Sequence, residues 1–285
     1  MANTTQASRN RRRLVRDVAR RKISNELWVA LEPLIPEFTP SPMNGRRRTV
    51  DDRAALNGIL YVLQTGIPWE DLPQELGFGS GMTCWRRLRD WQAAGVWQRL
   101  HLAMLRRLRE HDQIDWERAS LDGASVFQPP GGQETGPNPT DRGKLGSKRH
   151  IVVDARGIPL AITITGANRH DSMAFEPTLD AIPAVPGLNG QPRKRPSKLH
   201  ADKGYDFARC RRYLRQRGIK TRIARRGIES SERLGRHRWV VERTHAWFAG
   251  FGKLRIRFER RLDIHAALLF LAAAVICSRF VDDLC

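Results

Sequence analysis

The chain has 285 residues, of which 50 are Lys or Arg and 30 are Asp or Glu, so its formal net charge is +20. Its 40 % share of hydrophobic residues, with eight Trp and ten Phe, is typical of a folded protein and excludes a wholly disordered tail. A positive charge of this size repels itself unless a polyanion binds, which favours nucleic acid over a membrane surface or a ribosome as the partner.

The distribution of cysteines and apolar residues bears on the compartment. The four cysteines are scattered without a CxxC pair, which predicts free thiols in a reducing compartment and no zinc site. The N-terminus has no apolar signal segment, and the longest apolar run, residues 266–277, is too short to span a bilayer. We therefore expect a cytoplasmic, nucleoid-associated protein with no membrane partner.

The N-terminal third has the pattern of helices. Residues 1–22 are basic and predict a flexible arm, which is either a solvated tail or a segment that follows DNA phosphates. Residues 23–112 predict a helical domain, with one helix over Ile23–Ile35 capped by Ser24 and another that begins at Asp51 or Asp52 and stops at Gly66.

A short helix over Trp69–Leu76, a glycine-rich turn over 77–81 and a basic helix over Met82–Ala94 complete the predicted helical domain. This order is typical of a helix-turn-helix DNA reader, although an ordinary helical subdomain has the same pattern. Three arginines of the basic helix are the candidate DNA contacts: Arg86, Arg87 and Arg89.

From residue 113 onward, strands alternate with helices. Arg118–Phe127 predicts a strand, and two β-branched runs joined by Asp154–Gly157 predict a hairpin. The remaining predicted elements are a helix Asp171–Ile182 with Asp171 as N-cap, a strand Lys198–Ala201, a helix Phe207–Gln216, a strand Ile219–Ile223, and helices Leu234–Phe251 and Ile264–Phe280. The pattern indicates an α/β domain over 113–285, with a mixed sheet flanked by helices.

Three acidic residues interrupt otherwise apolar segments. Asp122 lies in the first strand, Asp202 ends the short strand 198–201, and Glu242 lies in a helix rich in bulky apolar residues. Each alone has a structural explanation: an exposed strand face, a turn cap or a surface ion pair. Together in a basic chain they predict a site for divalent metal, because such carboxylates are costly unless they are paired or bind an ion.

Basic residues surround these positions. Arg238 and Arg243 lie close to Glu242 in the sequence, and the glycine-containing loop 141–150 carries Arg142, Lys144, Lys148 and Arg149. Glycine lets backbone amides approach a phosphate closely, so DNA contact is one interpretation of the loop and a flexible connector is the other. His170 is a weaker candidate for a catalytic role.

Several longer motifs resemble the bacterial insertion-sequence DDE transposases of the group named after insertion sequence five. The matching segments are Gly66–Pro73, Leu121–Ser125, Gly136–Gly143, Gly146–His150, Asp154–Pro159, Ala201–Tyr205 and Arg238–Thr244. The resemblance implies a ribonuclease-H-like catalytic core behind a helix-turn-helix-like DNA-binding domain. It also implies the metal triad Asp122, Asp202 and Glu242, with Arg238 as the arginine of the glutamate-region signature.

The chain departs from the related signature at two positions around the glutamate. Gly235 and Ala249 stand where a Tyr and a Lys are expected, so Lys253 or Arg255 is the candidate replacement for the Lys as a phosphate contact.

We therefore expect a DNA transposase that uses two Mg²⁺ ions, or Mn²⁺ in their place, to cut at terminal inverted repeats and to join the 3′-hydroxyl ends to target DNA. It would act as a homodimer or larger assembly on DNA and would have no small-molecule substrate. A non-cutting regulator that binds repeats and a stand-alone structure-selective nuclease are the alternatives.

Overall fold

The computed structural model describes residues 22–40, 48–227 and 231–282, with side chains from 238 to 281 in the last range. The predicted basic arm at 1–22 lies outside the described residues except for Lys22. Within the described residues the chain folds as a mixed sheet with helices on both sides, preceded by a helical region. Both halves contribute to one continuous hydrophobic core.

The N-terminal region is helical, as predicted, and its helices have the expected N-caps. The first helix is shorter than the predicted Ile23–Ile35, because it ends at Leu31 and a 3-10 turn, Glu32–Leu34, follows. The Ser24 hydroxyl accepts a hydrogen bond from the Leu27 amide at 3.3 Å, and the Asp51 carboxylate accepts one from the Ala54 amide at 2.8 Å. Gly66 ends the second helix with a left-handed φ of 80°. The helices are α1 Asn25–Leu31, α2 Asp52–Thr65, α3 Gly81–Ala93 and α4 Val96–Glu110.

The predicted short helix over 69–76 is instead two 3-10 turns, Trp69–Asp71 and Gln74–Leu76. Pro73 lies between them and has no amide hydrogen to donate, which prevents a continuous helix. The turn that follows leads into α3, whose N-cap is Ser80.

The sheet has the order β4-β3-β1-β5-β6, and the short β2 pairs with the first two residues of β3 on the same side as β4. β3 is antiparallel to both β1 and β4, whereas β5 and β6 run parallel to β1. The strands are β1 Ala119–Phe127, β2 Gly136–Pro137, β3 Leu145–Asp154, β4 Pro159–Gly166, β5 Lys198–Ala201 and β6 Lys220–Ile223. The expected mixed sheet flanked by helices is confirmed.

The segment after β4 differs from the prediction. Residues 171–182 form a 3-10 turn, Asp171–Met173, followed by helix α5, Phe175–Asp180. Asp171 was predicted to be the N-cap, but His170 holds that position and its ring accepts a hydrogen bond from the Ser172 amide. The Asp171 side chain is therefore available for other contacts. The remaining helices are α6 Ala208–Gln216, α7 Ser231–Gly250 and α8 Leu262–Asp282.

Helix α8 is the central helix of the core. It is long and apolar enough to cross a membrane by composition, but 72 % of its most apolar stretch is buried inside the protein. It packs along α4 and also against β4 and α7. This burial shows that α8 is a core element, and its contacts join the helical region to the sheet.

Candidate active site

Two of the three predicted acidic residues lie side by side in the sheet. The parallel pairing of β1 with β5 places Ala119 beside Leu199 and Ser120 beside His200. The same register, continued by two residues, brings Asp202 next to Asp122. Because β5 ends at Ala201, the edge of β1 is open from Asp122 onward, and the two carboxylates lie where that opening begins.

The Asp122 carboxylate is half-buried, and its surroundings disfavour its charge. Its side chain is 19 % exposed, and it has an Arg238 guanidinium nitrogen at 3.6 Å and the Gly123 amide at 2.9 Å. Burial raises the pKa of Asp122 to about 6, and the charges of Asp202 and Asp171 add to the rise, despite the opposing effects of Arg238 and the Gly123 amide. A divalent cation would compensate this negative charge, so the residues fit a metal site.

Asp154 is a second aspartate of the sheet, and its carboxylate has a structural role. It is fully buried, and it accepts hydrogen bonds from the amides of Asp115, Arg156 and Ile158 at 2.8–2.9 Å. These bonds build the β3–β4 turn and satisfy its oxygens. Burial raises the pKa of Asp154 to about 6 as well, so a raised pKa alone does not separate the two aspartates. Asp122 differs from Asp154 in accepting one amide hydrogen bond, from Gly123, and in having the charge of Asp202 nearby.

Asp202 has the structural role considered from the sequence, that of a turn cap. Its side chain accepts a hydrogen bond from the Gly204 amide at 2.8 Å and so caps the 3-10 turn Lys203–Tyr205. The cap fixes one oxygen of the carboxylate near the end of β5. A turn cap therefore explains how Asp202 is held, and its position beside Asp122 is what makes it a candidate ligand.

Glu242 lies apart from this pair. It is exposed on α7, one turn after Arg238, which does reach Asp122. Among the residues that the structure describes, no three Asp, Glu, His or Cys side chains are grouped closely enough to hold a metal ion. The structure thus brings Asp122 and Asp202 together and leaves Glu242 on the neighbouring helix; its role as the third ligand stays a prediction.

The ten basic candidates fall into groups of different exposure. Arg86, Arg142 and Lys144 are exposed. Arg89, Lys148, Arg238 and Arg243 are partly exposed. The Arg243 guanidinium is stacked between the rings of Trp239 and Trp247, at 4.6 and 4.7 Å from their centroids.

The other three basic candidates are buried and have partners inside the protein. Arg87 pairs with Asp52, Arg149 lies 4.7 Å from the ring centroid of Phe248, and Lys253 lies 3.8 Å from Glu259. Arg87, Arg149 and Lys253 are only 5, 4 and 7 % exposed, so we leave them out of the DNA-contact surface proposed below. Arg255, the other candidate replacement for the missing Lys, is exposed.

Sequence reasoning missed two polar residues near the aspartate pair. Asp171 lies against β1 at Gly123, and the buried Tyr205 lies three residues after Asp202. The available signals were that Asp171 is adjacent to the unexplained His170, and that Tyr205 belongs to the Ala201–Tyr205 motif. Neither signal predicts where the residue lies in the fold, because the positions of Asp171 and Tyr205 depend on how two separate turns pack together.

Family comparisons cover both halves of the chain. Residues 23–101 match the profile of a family described as "Putative transposase of IS4/5 family", and residues 112–277 match the "Transposase DDE domain" family. The second match alone spans more than half of the chain. The chain belongs to the insertion-sequence DDE transposases. The family resemblance drawn from the sequence motifs is confirmed.

Individual relatives agree with this assignment. The transposase is 56 % identical over 147 residues to the "Putative transposase for insertion sequence element IS402" of Burkholderia cepacia, which covers 52 % of this chain and 70 % of the relative. It is 26 % identical over 134 residues to the transposase for insertion sequence element IS1106 of Neisseria meningitidis serogroup B, covering 46 % and 43 %. A structural match to the Mos1 mariner paired end complex with Mn has 12 % identity, covers 94 % of this chain and 93 % of that one, and has a TM-score of 0.27, too low to carry an argument.

Membership in the family establishes the broad function. The transposase is an enzyme of transposition that acts on DNA, and its DDE domain implies the use of a divalent metal. The helical region before the DDE domain belongs to the same kind of protein, because it matches a transposase family by itself.

Proposed function

We propose that this transposase cuts DNA at the terminal inverted repeats of its own element and joins the freed 3′-hydroxyl ends to target DNA. Asp122, Asp202 and Glu242 would hold two Mg²⁺ ions, with Mn²⁺ as a substitute. The observation that carries this proposal is the adjacency of Asp122 and Asp202 at the open edge of β1, where the half-buried Asp122 carboxylate accepts one amide hydrogen bond and has Arg238 at 3.6 Å.

The ions, when bound, neutralise charge on the reacting phosphate and activate the attacking oxygen. The protein's own part is to hold the acids in place. The Gly123 amide orients Asp122, and the Gly204 amide orients Asp202. Arg238 keeps a positive charge 3.6 Å from Asp122, which favours the ionised carboxylate that a cation needs.

The exposed basic residues are the proposed contacts to the DNA backbone. Arg86 and Arg89 lie on α3 of the helical region, and Arg142 and Lys144 lie in the loop before β3. Arg238 and Arg243 are on α7 with Glu242, where a phosphate close to the aspartate pair would meet them. Because an element has two ends, we further propose a homodimer or larger assembly on nucleoid DNA in the cytoplasm.

The test is cleavage by the purified full chain of a duplex that carries the element's own terminal repeat, with Mg²⁺. Asp122→Asn, Asp202→Asn and Glu242→Gln should each reduce cleavage and strand joining at least 100-fold, because each removes a charged ligand. Undiminished cleavage by Asp202→Asn would reject the metal role of the pair. Cleavage that ignores the repeat sequence and never joins strands would indicate a structure-selective nuclease.

One observation favours a second candidate function, namely a regulator that binds repeats without cutting them. Glu242 is exposed and lies apart from the aspartate pair. Footprinting on the terminal repeat separates the two candidates. Protection of the repeat with no cleavage in Mg²⁺ or Mn²⁺ favours the regulator, whereas cleavage that Glu242→Gln abolishes assigns Glu242 to the active site.

A further inference from the structure

A third aspartate, Asp171, contacts β1 at Gly123, the residue next to Asp122, from the opposite face of the strand. A Cβ atom on Gly123 would lie 3.1 Å from the Asp171 carboxylate and 2.9 Å from the His150 ring nitrogen Nδ1. Successive residues of a strand point to opposite faces, so Asp122 and Asp171 lie on the two sides of β1. The missing side chain of Gly123 is what lets Asp171 come this close to the opening beyond Ala201.

The Asp171 carboxylate is held in place by its neighbours. Lys148 Nζ lies 3.0 Å from it and also donates a hydrogen bond to the Arg169 carbonyl at 2.9 Å. The 3-10 turn that carries Asp171 is attached to α6, because Arg209 donates to the Ser172 hydroxyl at 3.1 Å. The position of this carboxylate is therefore set by the fold before any ligand binds.

Tyr205 provides an independent sign that something binds here. Its turn, Lys203–Tyr205, packs against the turn Asp171–Met173, and its side chain is only 1 % exposed. Within the described part of the chain its hydroxyl has no hydrogen-bond partner, which is unfavourable for a buried polar group. The turn that carries Tyr205 is also the one that Asp202 caps, so Tyr205 is held close to both Asp202 and the turn of Asp171. Burial raises the pKa of Tyr205, and the charges of Asp122, Asp171 and Asp202 raise it further.

We propose that Asp171 and Tyr205 complete the cation site of Asp122 and Asp202 by hydrogen bonding to water that a hydrated divalent cation keeps. Mg²⁺ releases its water reluctantly and is bound through one or two carboxylates, so the remaining water needs partners in the protein. Asp171 supplies acceptors and Tyr205 supplies a hydroxyl, and such outer partners orient a metal and tune its affinity. Both are positioning residues, and this role rests on the proposed function.

The test is the affinity of the full chain for Mn²⁺ without DNA, followed through the electron paramagnetic resonance signal of free Mn²⁺. Asp171→Asn and Tyr205→Phe should each weaken binding about 10-fold or more, the usual effect of removing an outer partner. The matched control is Asp180→Asn. Asp180 ends α5, away from the proposed cation site, and pairs with Arg217. It should leave Mn²⁺ affinity unchanged.

Lys148→Met distinguishes a role at the cation from a role in holding Lys148. Removing a positive charge next to the site should leave Mn²⁺ affinity equal or tighter if Asp171 acts on the cation. A loss as large as that of Asp171→Asn would show that the ion pair is merely structural and would overturn the proposal. If Asp171→Asn fails to fold, Tyr205→Phe, which keeps the shape of the side chain, tests the same water-mediated role.

The outcomes separate this inference from the proposed function. Wild-type affinity in both Asp171→Asn and Tyr205→Phe, with binding lost in Asp122→Asn, overturns the inference and leaves the metal role of the aspartate pair intact. A wild-type chain that binds no Mn²⁺ overturns both.

Discussion

Replacing Asp122 with Asn should make the metal-free transposase more stable at neutral pH while it removes activity. Burial, with the charges of Asp202 and Asp171, raises the pKa of Asp122 from 3.8 to about 6 in the folded chain. A shift of about two pKa units corresponds to about 3 kcal/mol against the ionised form. Asparagine has the shape of the protonated acid and carries no charge, so the variant should gain about that much at pH 8.

The difference in stability between Asp122→Asn and the wild type should depend on pH. A carboxyl whose folded pKa is raised favours folding below its unfolded pKa and loses that contribution as the pH rises through the folded value. The contribution of Asp122 to the stability of the wild type should therefore fall between about pH 4 and pH 6, and the advantage of Asp122→Asn should open over the same range.

Urea unfolding in EDTA at pH 4 and pH 8 measures the effect, with Asp180→Asn as the control at an exposed position, expected to stay within about 0.5 kcal/mol. A variant that is less stable than the wild type at pH 8, or a difference that does not change with pH, would refute the reasoning.

Three further predictions concern the surface and the helical region. Arg86→Gln should weaken DNA binding in a filter-binding assay and leave the stability unchanged, because Arg86 is exposed. Arg87→Gln should lower the free energy of unfolding, measured in urea, by about 1–3 kcal/mol, because Arg87 is buried against Asp52. Gly66→Ala should cost clearly more than Gly77→Ala in thermal unfolding, because both glycines have positive φ but only at Gly66 does a Cβ meet backbone, at 2.7 Å; equal losses would contradict the contact. DNA affinity should fall about 10³–10⁵-fold between roughly 50 and 200 mM salt if six to ten phosphates are contacted. An affinity that does not change in a salt titration would exclude contact with the DNA backbone as the reason for the positive net charge.

Local signals in the sequence were enough to place most elements. Ser24 and Asp51 cap helices where their side chains follow the usual N-cap pattern, and Gly66 ends a helix with the backbone angle that glycine allows. The turn after β3 is built by Asp154, which bonds to amides within four residues. These interactions join residues that are close together in the sequence, so a single sequence is sufficient to predict them.

The outcome for the basic residues depended on tertiary packing. Arg149 belongs to a β3 strand that is covered on both faces, and its guanidinium lies over Phe248 of α7. Lys253 lies in a turn that packs against the helical region, where its ammonium group donates to the Ile67 carbonyl at 3.3 Å. A high density of basic residues predicts a polyanion partner for the chain, but it does not tell which members face solvent.

Part of the candidate site could be predicted from the sequence and part could not. The adjacency of Asp122 and Asp202 follows from the parallel pairing of two strands that the sequence already suggested. The position of Asp171 does not, because it depends on His170 taking the N-cap position and on Gly123 leaving space across the strand. The exposure of Glu242 depends on how α7 is rotated about its own axis over the sheet, which a helix with bulky residues on several sides does not specify.

Whether Asp122 touches the catalytic cation is tested most directly by exchanging its ligand atom. A thiolate prefers softer ions to Mg²⁺, so Asp122→Cys should lose cleavage of the terminal repeat in Mg²⁺ and recover part of it in Mn²⁺ or Zn²⁺, whereas Asp122→Ala should stay inactive with every ion. Recovery limited to Asp122→Cys is the result expected of a direct ligand. Full activity of Asp122→Cys in Mg²⁺, or of Asp122→Ala with any ion, would contradict a metal-holding role for this aspartate.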